Sequence, residues 1–326
     1  MKKLFIAVLA VAALASCAQD EIISKNQTAI AFGDAFVNNS TKTLYEGTGV
    51  NEHKVKAFKV WGTVTGADNT AVALYEGANV TRGDEQGYGV AWTCDVTRFW
   101  TPNCDYKFYA VVDANEVNAT NGVPTSIEYT ATGENDLLYG TKTKTTKTAD
   151  GLPEDGALVA FDMQHLLSRI QFTFANGVNL AAGDKGEYSF KVTSLSVKTW
   201  KEGIYTVGAD TPWAQVDSTL TPITFAATEE KPYVTGTASE GKVIIPGAQE
   251  LLISYTYEVY FDNDKSTAGD AKKIYTGTVA DKALSHNFEV NHSYNITATL
   301  KAGNAIEFTI ASVKVWEPGD NPTTIQ

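Results

Sequence analysis

The stretch from Gln27 to Thr43 reads QTAIAFGDAFVNNSTKT, and its first eleven residues have the composition of a β-strand. In an extended chain Ile30, Phe32 and Phe36 fall on one side and Ala29, Ala31, Ala35 and Val37 on the other. Both faces are apolar, so the strand is expected to be covered on both. The Asn38-Asn39-Ser40-Thr41-Lys42 segment that follows is polar and exposed in character, suited to a trypsin-like cut between Lys42 and Thr43. The reading is of a removable strand, held by Ile30, Phe32, Phe36 and Val37 and released by that cut.

Upstream, Lys2 and Lys3 precede an apolar run from Leu4 to Leu14 that is too short to span a bilayer and fits a secretory signal. The run ends in Leu14-Ala15-Ser16-Cys17, which looks like a lipobox: residues 1–16 would be the signal peptide and Cys17 the lipidated first residue. The alternative is a plain secretory signal with an incidental Cys. Ala18-Gln19-Asp20-Glu21 then resembles an acidic surface-export signal. Several acyl chains on Cys17 would anchor the protein stably to the outer membrane before processing. Residues 17–42 are thus a lipidated leader that ends in the removable strand.

About 310 residues follow the signal peptide, enough for two domains of ordinary size. Gly, Thr, Val and Tyr are plentiful, Met is scarce and no long stretch has helical spacing, so the fold class is all-β. Asp150-Gly151-Leu152-Pro153-Glu154-Asp155-Gly156 is the best linker candidate, dividing an N-terminal domain, 43–157, from a C-terminal one, 158–326. Half-buried strands are expected at Val55–Val64, Gly89–Thr93, Tyr106–Asp113 and Ile127–Thr130, with Thr141–Lys147 as an exposed edge strand whose lysines discourage mispairing. In the second half strands are expected at Leu158–Phe161, Ile170–Phe174, Tyr188–Trp200, Lys242–Pro246 and Leu251–Phe261. His286–Val290 and Tyr294–Leu300 are expected to pair across Asn291-His292-Ser293. Two segments shift phase, Tyr188–Trp200 and Ala305–Trp316, as bulged strands do. Cys94 and Cys104 sit close together on an exported chain and are a disulfide candidate, contributing ~2–3 kcal/mol if unstrained.

The net charge of −12 argues against nucleic acid or an anionic membrane surface as a partner. No nucleophile elbow, His-Glu-x-x-His pair, Cys-x-x-Cys pair or phosphate-cradling loop is present, and no pair of carboxylates stands out for acid–base work. No enzyme activity, cofactor or metal site is therefore expected. His286 and His292 flank a turn, His165 is read as a packing and hydrogen-bonding residue, and Asp262-Asn263-Asp264-Lys265-Ser266 lacks the Gly and Glu of a calcium loop. Trp92, Trp100, Trp200 and Trp213 are stacking platforms for sugars or parts of a core and its rim. A surface glycan-binding lipoprotein thus remains the rival reading.

Leu14–Cys17, Ala29–Lys42, Asp136–Gly140, His165–Phe174, Asn291–Ile296 and Ile306–Trp316, taken in order along the chain, resemble the Bacteroidales fimbrillin family, the type V pilins. The resemblance implies two tandem transthyretin-like β-sandwich domains, lipoprotein export, cleavage after a basic residue that frees the first strand, and polymerisation by a partner's C-terminal strand. Lys42 stands where the family usually shows Arg. The donor would be Ile306, Phe308, Ile310, Val313 and Val315, apolar enough to fill the vacated groove. Partners would be further pilin subunits, as a homopolymer or with tip or anchor subunits, and a host or bacterial surface ligand. A tip or anchor that does not polymerise is the other alternative.

Overall fold

The computed structural model describes residues 28–37, 55–83, 91–146, 151–178, 186–262, 271–303 and 305–316, the side chains of Asp34, Phe36 and Val37 excepted. Cys17, Lys42, Thr43 and the Asn263–Ser266 part of the calcium-like loop lie outside the described residues. Within them the chain forms twenty strands in four sheets and no helix, the expected all-β class.

The largest sheet has seven strands in the order β1 (Ala31–Val37), β9 (Leu158–His165), β8 (Leu138–Thr145), β5 (Asp105–Val112), β2 (Ala57–Thr65), β3 (Ala71–Arg82), β4 (Trp92–Cys94). Tyr106, Phe108, Ala110 and Val112 of β5 face one core with Phe58, Val60, Leu74, Tyr75, Phe161 and Met163. Trp61, Tyr109 and Val111 face a second core on the opposite side of the same sheet. β2 and β5 are therefore buried on both faces, which their alternation with Lys59, Thr63 and Lys107 conceals.

The second half is a β-sandwich. One layer is β16 (Lys242–Ile244), β10 (Ser168–Asn176), β19 (His292–Leu300) and β20 (Ile306–Val315). The other is β14 (Leu220–Thr224), β11 (Glu187–Trp200), β17 (Gly247–Asp262) and β18 (Lys272–Phe288), with β15 (Tyr233–Val234) also pairing β11. Phe172, Tyr294 and Ile296 from the first layer meet Phe190, Val197, Ile253 and Val259 from the second. Both expected phase shifts are bulges: β11 slips register between Val192 and Ser194, and β20 carries Ala311 as an extra residue opposite β19.

Four expectations are corrected. The linker candidate, of which residues 151–156 are described, joins β8 to β9 within one sheet; β9, expected to open the second half, pairs with β8 and β1. Thr141–Lys147 is no edge strand, since β8 lies between β5 and β9; Lys144 is buried and its ammonium donates to Gly156 O at 2.9 Å and pairs with Asp155 at 2.8 Å. The segments on either side of Asn291-His292-Ser293 do not pair with each other; β18 pairs β17 and β19 pairs β10 and β20, so the turn crosses between layers. No disulfide joins Cys94 and Cys104, which remain thiols half-buried against the first core, where burial pushes the Cys94 thiol up.

The two halves of the sequence share a fourth sheet, β13 (Trp213–Gln215), β12 (Glu202–Thr206), β7 (Val123–Thr130) and β6 (Glu116–Thr120). β12 comes from the second half and β7 from the first. Beneath them Ile127, Tyr129 and Leu137 pack with Leu166, Leu167, Val243, Ile245 and Trp316.

Candidate functional site

The strand expected to be removable, β1, closes a seam. β1 lies at one end of the seven-stranded order and β4 at the other, yet the two ends meet: Ile30 N–H donates to Arg98 O at 2.8 Å and Trp100 N–H to Thr28 O at 3.1 Å. Ala29 bridges Phe99 antiparallel, while on its other edge β1 runs parallel to β9. The backbone groups on both edges at the start of this segment are thus satisfied, which an exposed edge would leave open.

Ile30 and Phe32 point into the first core, 6% and 4% exposed. Phe32 sits among four rings, edge-on to Phe58 at 6.0 Å, Tyr75 at 5.7 Å and Phe108 at 6.2 Å and stacked with Phe161 at 6.3 Å. Ala29 and Ala31 are exposed, so the strand is covered on one face, not on two as expected. The reason is its place at the seam, where the outward side meets no second layer. A bulge between Phe32 and Ala35 resets the phase and brings Ala35 against the core. Gly33 lies in that bulge; a Cβ there would come 2.6 Å from Leu158 Cδ2. Phe36 and Val37 continue β1, but their side chains are outside the described residues.

The far wall of this groove is fixed without help from β1. Asp95 accepts from the Asn79 backbone at 2.9 Å and its amide at 2.7 Å, and Arg98 Nε donates to Leu74 O at 3.0 Å. Thr101 N–H donates to Tyr106 Oη at 2.7 Å, and Thr146 Oγ1 donates to Thr101 O at 2.6 Å. Trp100 is buried edge-on to Tyr106 at 4.7 Å. These contacts hold residues 95–101 to β3, β5 and the end of β8, so the wall is pre-organised.

The candidate donor strand is folded onto its own sandwich at a sheet edge. Ile306 is buried, Phe308 and Ile310 are half-buried, and Val313 and Val315 are 46% and 52% exposed. Phe308 rests edge-on to Phe172 at 5.9 Å and Tyr255 at 5.2 Å. One residue further Trp316 is buried in the core shared by both halves, stacked flat on His165 at 3.8 Å between centroids. His165 Nδ1 in turn meets the buried Asp136 carboxylate. The expected packing role of His165 is seen here with a partner on each side.

Of the four tryptophans considered as platforms, Trp100 is buried and the others are half-buried: Trp92 against Phe58 at 5.3 Å, Trp213 donating to Leu166 O at 2.8 Å, and Trp200 against the shared core. Among the described residues no group of three or more His, Cys, Asp or Glu is placed to hold a metal ion. Sequence reasoning missed Arg98 and Phe99 as the second wall and Trp316 as an anchor. A Trp ending a strand that otherwise shifts phase was the available signal for the last.

The fimbrillin-like family model matches residues 41–316, the greater part of the chain. The chain belongs to the fimbrillin-like family. Among solved structures it is similar to a fimbrial protein from Bacteroides vulgatus ATCC 8482, 15% identical, covering 90% of this chain and 100% of that one with a TM-score of 0.55. A fimbrial assembly protein from Parabacteroides distasonis ATCC 8503 is 14% identical over 88% and 100% of the two chains, with a TM-score of 0.42. The search of curated proteins gives no match. The first of these likenesses shows a shared fold. In this fimbrillin-like chain the matched span ends at Trp316, the residue that anchors β20.

Proposed function

We propose that the chain is a structural subunit of a surface fimbria serving adhesion. It is exported as a lipoprotein on Cys17, cut after Lys42, and polymerised when β20 of one copy fills the groove that β1 leaves in another. The observation that carries this reading is the seam: the segment Thr28–Val37 bridges β9 and the pinned Arg98–Trp100 wall, and its Ile30 and Phe32 plug an aromatic pocket. Burying two such side chains contributes roughly 1.5–3 kcal/mol each. The strand therefore stays in an uncut chain. Once released it leaves open ladder groups and an apolar pocket, a surface that takes up another strand. β20 suits the task because it lies at an edge with Val313 and Val315 exposed and Phe308 and Ile310 half-buried. Giving a strand forward while receiving one behind is a head-to-tail contact, which builds open filaments. The family membership and the fimbrial relative support the role, and the partners are further subunits of the fimbria.

The proposed order of events is tested with the Lys42→Ala chain. It should resist trypsin at that bond and stay monomeric while the native chain forms oligomers under the same treatment; a Lys42→Ala chain that polymerised equally well would defeat the proposal.

A further inference from the structure

Two segments far apart in the chain carry matching residues. Ala29-Ile30-Ala31-Phe32-Gly33-Asp34-Ala35-Phe36-Val37 and Ala305-Ile306-Glu307-Phe308-Thr309-Ile310-Ala311-Ser312-Val313 agree at their first, second, fourth, seventh and ninth positions, all apolar. The likeness extends to geometry. In each the Ile and Phe face a core, and in each a bulge follows the Phe within three residues, between Phe32 and Ala35 in one and at Ala311 in the other.

From this correspondence, and resting on the strand donation proposed above, we infer the register and the partner: β20 enters the groove of a second copy of this same chain, parallel to β9, with Ile306 in the place of Ile30 and Phe308 in the place of Phe32. Ala311 and Val313 then follow Ala35 and Val37. The donor is cut to its own chain's groove, which makes this a subunit that polymerises with itself, a stalk component.

The fit is supported at three positions. Phe308 exchanges a half-buried site with two ring neighbours for one lined by Phe58, Tyr75, Phe108 and Phe161. Glu307 falls at Ala31, which is exposed, so its carboxylate stays in water. Thr309 falls at Gly33, where the nearest atoms a Cβ meets are Cδ2 and Cγ of Leu158, at 2.6 and 2.9 Å; the Leu158 side chain has to turn aside, and at 53% exposed it has solvent to swing into. A parallel orientation follows from the order of the matching residues, since β1 runs parallel to β9.

Cysteine cross-linking reads the register directly. Ala31 is the partner of Leu158 across the β1–β9 ladder, so Glu307 of the donor should lie beside Leu158 of the acceptor. Adjacent strands place such a pair about 5 Å apart, within disulfide range, whereas a position two residues along, such as Thr309, lies beyond the roughly 7 Å limit. In a chain whose three native cysteines are serine, Leu158→Cys protein is cut with trypsin and mixed under mild oxidation with Glu307→Cys or Thr309→Cys protein. The inference expects oligomers in both mixtures and a disulfide-linked heterodimer with Glu307→Cys alone. Oligomers linked through Thr309→Cys, or through neither, would overturn the register and leave strand donation standing. No oligomers in either mixture would remove strand donation and the inference with it.

Discussion

Phe32 is the residue on which the seam depends. Four rings surround it and it is almost fully buried, so Phe32→Ala in the uncut chain should cost about 3–5 kcal/mol. The expected reading is a lower urea midpoint with an unchanged slope, and an unaltered midpoint would place the ring outside the core. In the core shared by both halves, Asp136 is fully buried and pairs with His165 beneath Trp316. Asp136→Ala leaves a buried ring nitrogen without its partner, and the expected loss is about 1–3 kcal/mol, measured the same way. Ile30 and Phe32 were legible in the sequence because large apolar residues two apart declare one face of a strand. The bulge after Phe32 was not: it belongs to the pairing of β1 with β9, where Gly33 meets Leu158, residues more than a hundred positions apart. Cys94 and Cys104 misled for a similar reason, since closeness in sequence says nothing of how the end of β4 and the residue before β5 turn their side chains.

Among the elements, β18 and β20 are both sheet edges but are not alike. β18 runs for seventeen residues, carries Lys272, Lys273 and Lys282, and slips register twice against β17, all features that discourage pairing with another chain. β20 is shorter and keeps Phe308, Ile310, Val313 and Val315 partly in water. Phe308→Ala should therefore leave cleavage after Lys42 unchanged while the oligomer ladder shrinks by at least tenfold in yield; a full ladder would exclude Phe308 as an anchor of the donated strand. The phase breaks in β11 and β20 were legible, because a bulge moves a whole run of apolar residues to the other parity. β3 was not, since two slips against β2, beside Trp61 and Gly62, break the alternation that would have marked the pair. The charged and β-branched run of β8 resembles an edge strand only while Lys144 is assumed exposed; buried and bonded to Gly156 O, it belongs to an inner strand.

At the scale of the whole molecule, the division into two halves is crossed by the sheet that β7 and β12 share and by the core beneath it. Gly-Pro-rich composition pointed to a linker at residues 150–156 because it records the need for a turn, and a β8–β9 connection needs one as much as a domain boundary does. Trp316 ties the end of β20 into this shared core, so movement of the strand reaches both halves. The cores also set an alkaline limit. Burial, and then the neighbouring Tyr257, push the Tyr255 hydroxyl up to about 12, against about 10 in an unfolded chain. Its un-ionised form is favoured in the folded state, so that contribution is complete below pH about 10 and is lost as pH rises through about 12. Urea midpoints from neutral pH upward should hold until about 10 and then fall, and a flat profile to pH 12 would contradict it. The proposed assembly is tested most directly by intact mass and size-exclusion profiles of the purified chain before and after limited trypsin treatment at neutral pH. Strand donation predicts loss of the leader at Lys42 followed by a ladder of oligomers; a chain cut at Lys42 that remained monomeric would contradict it.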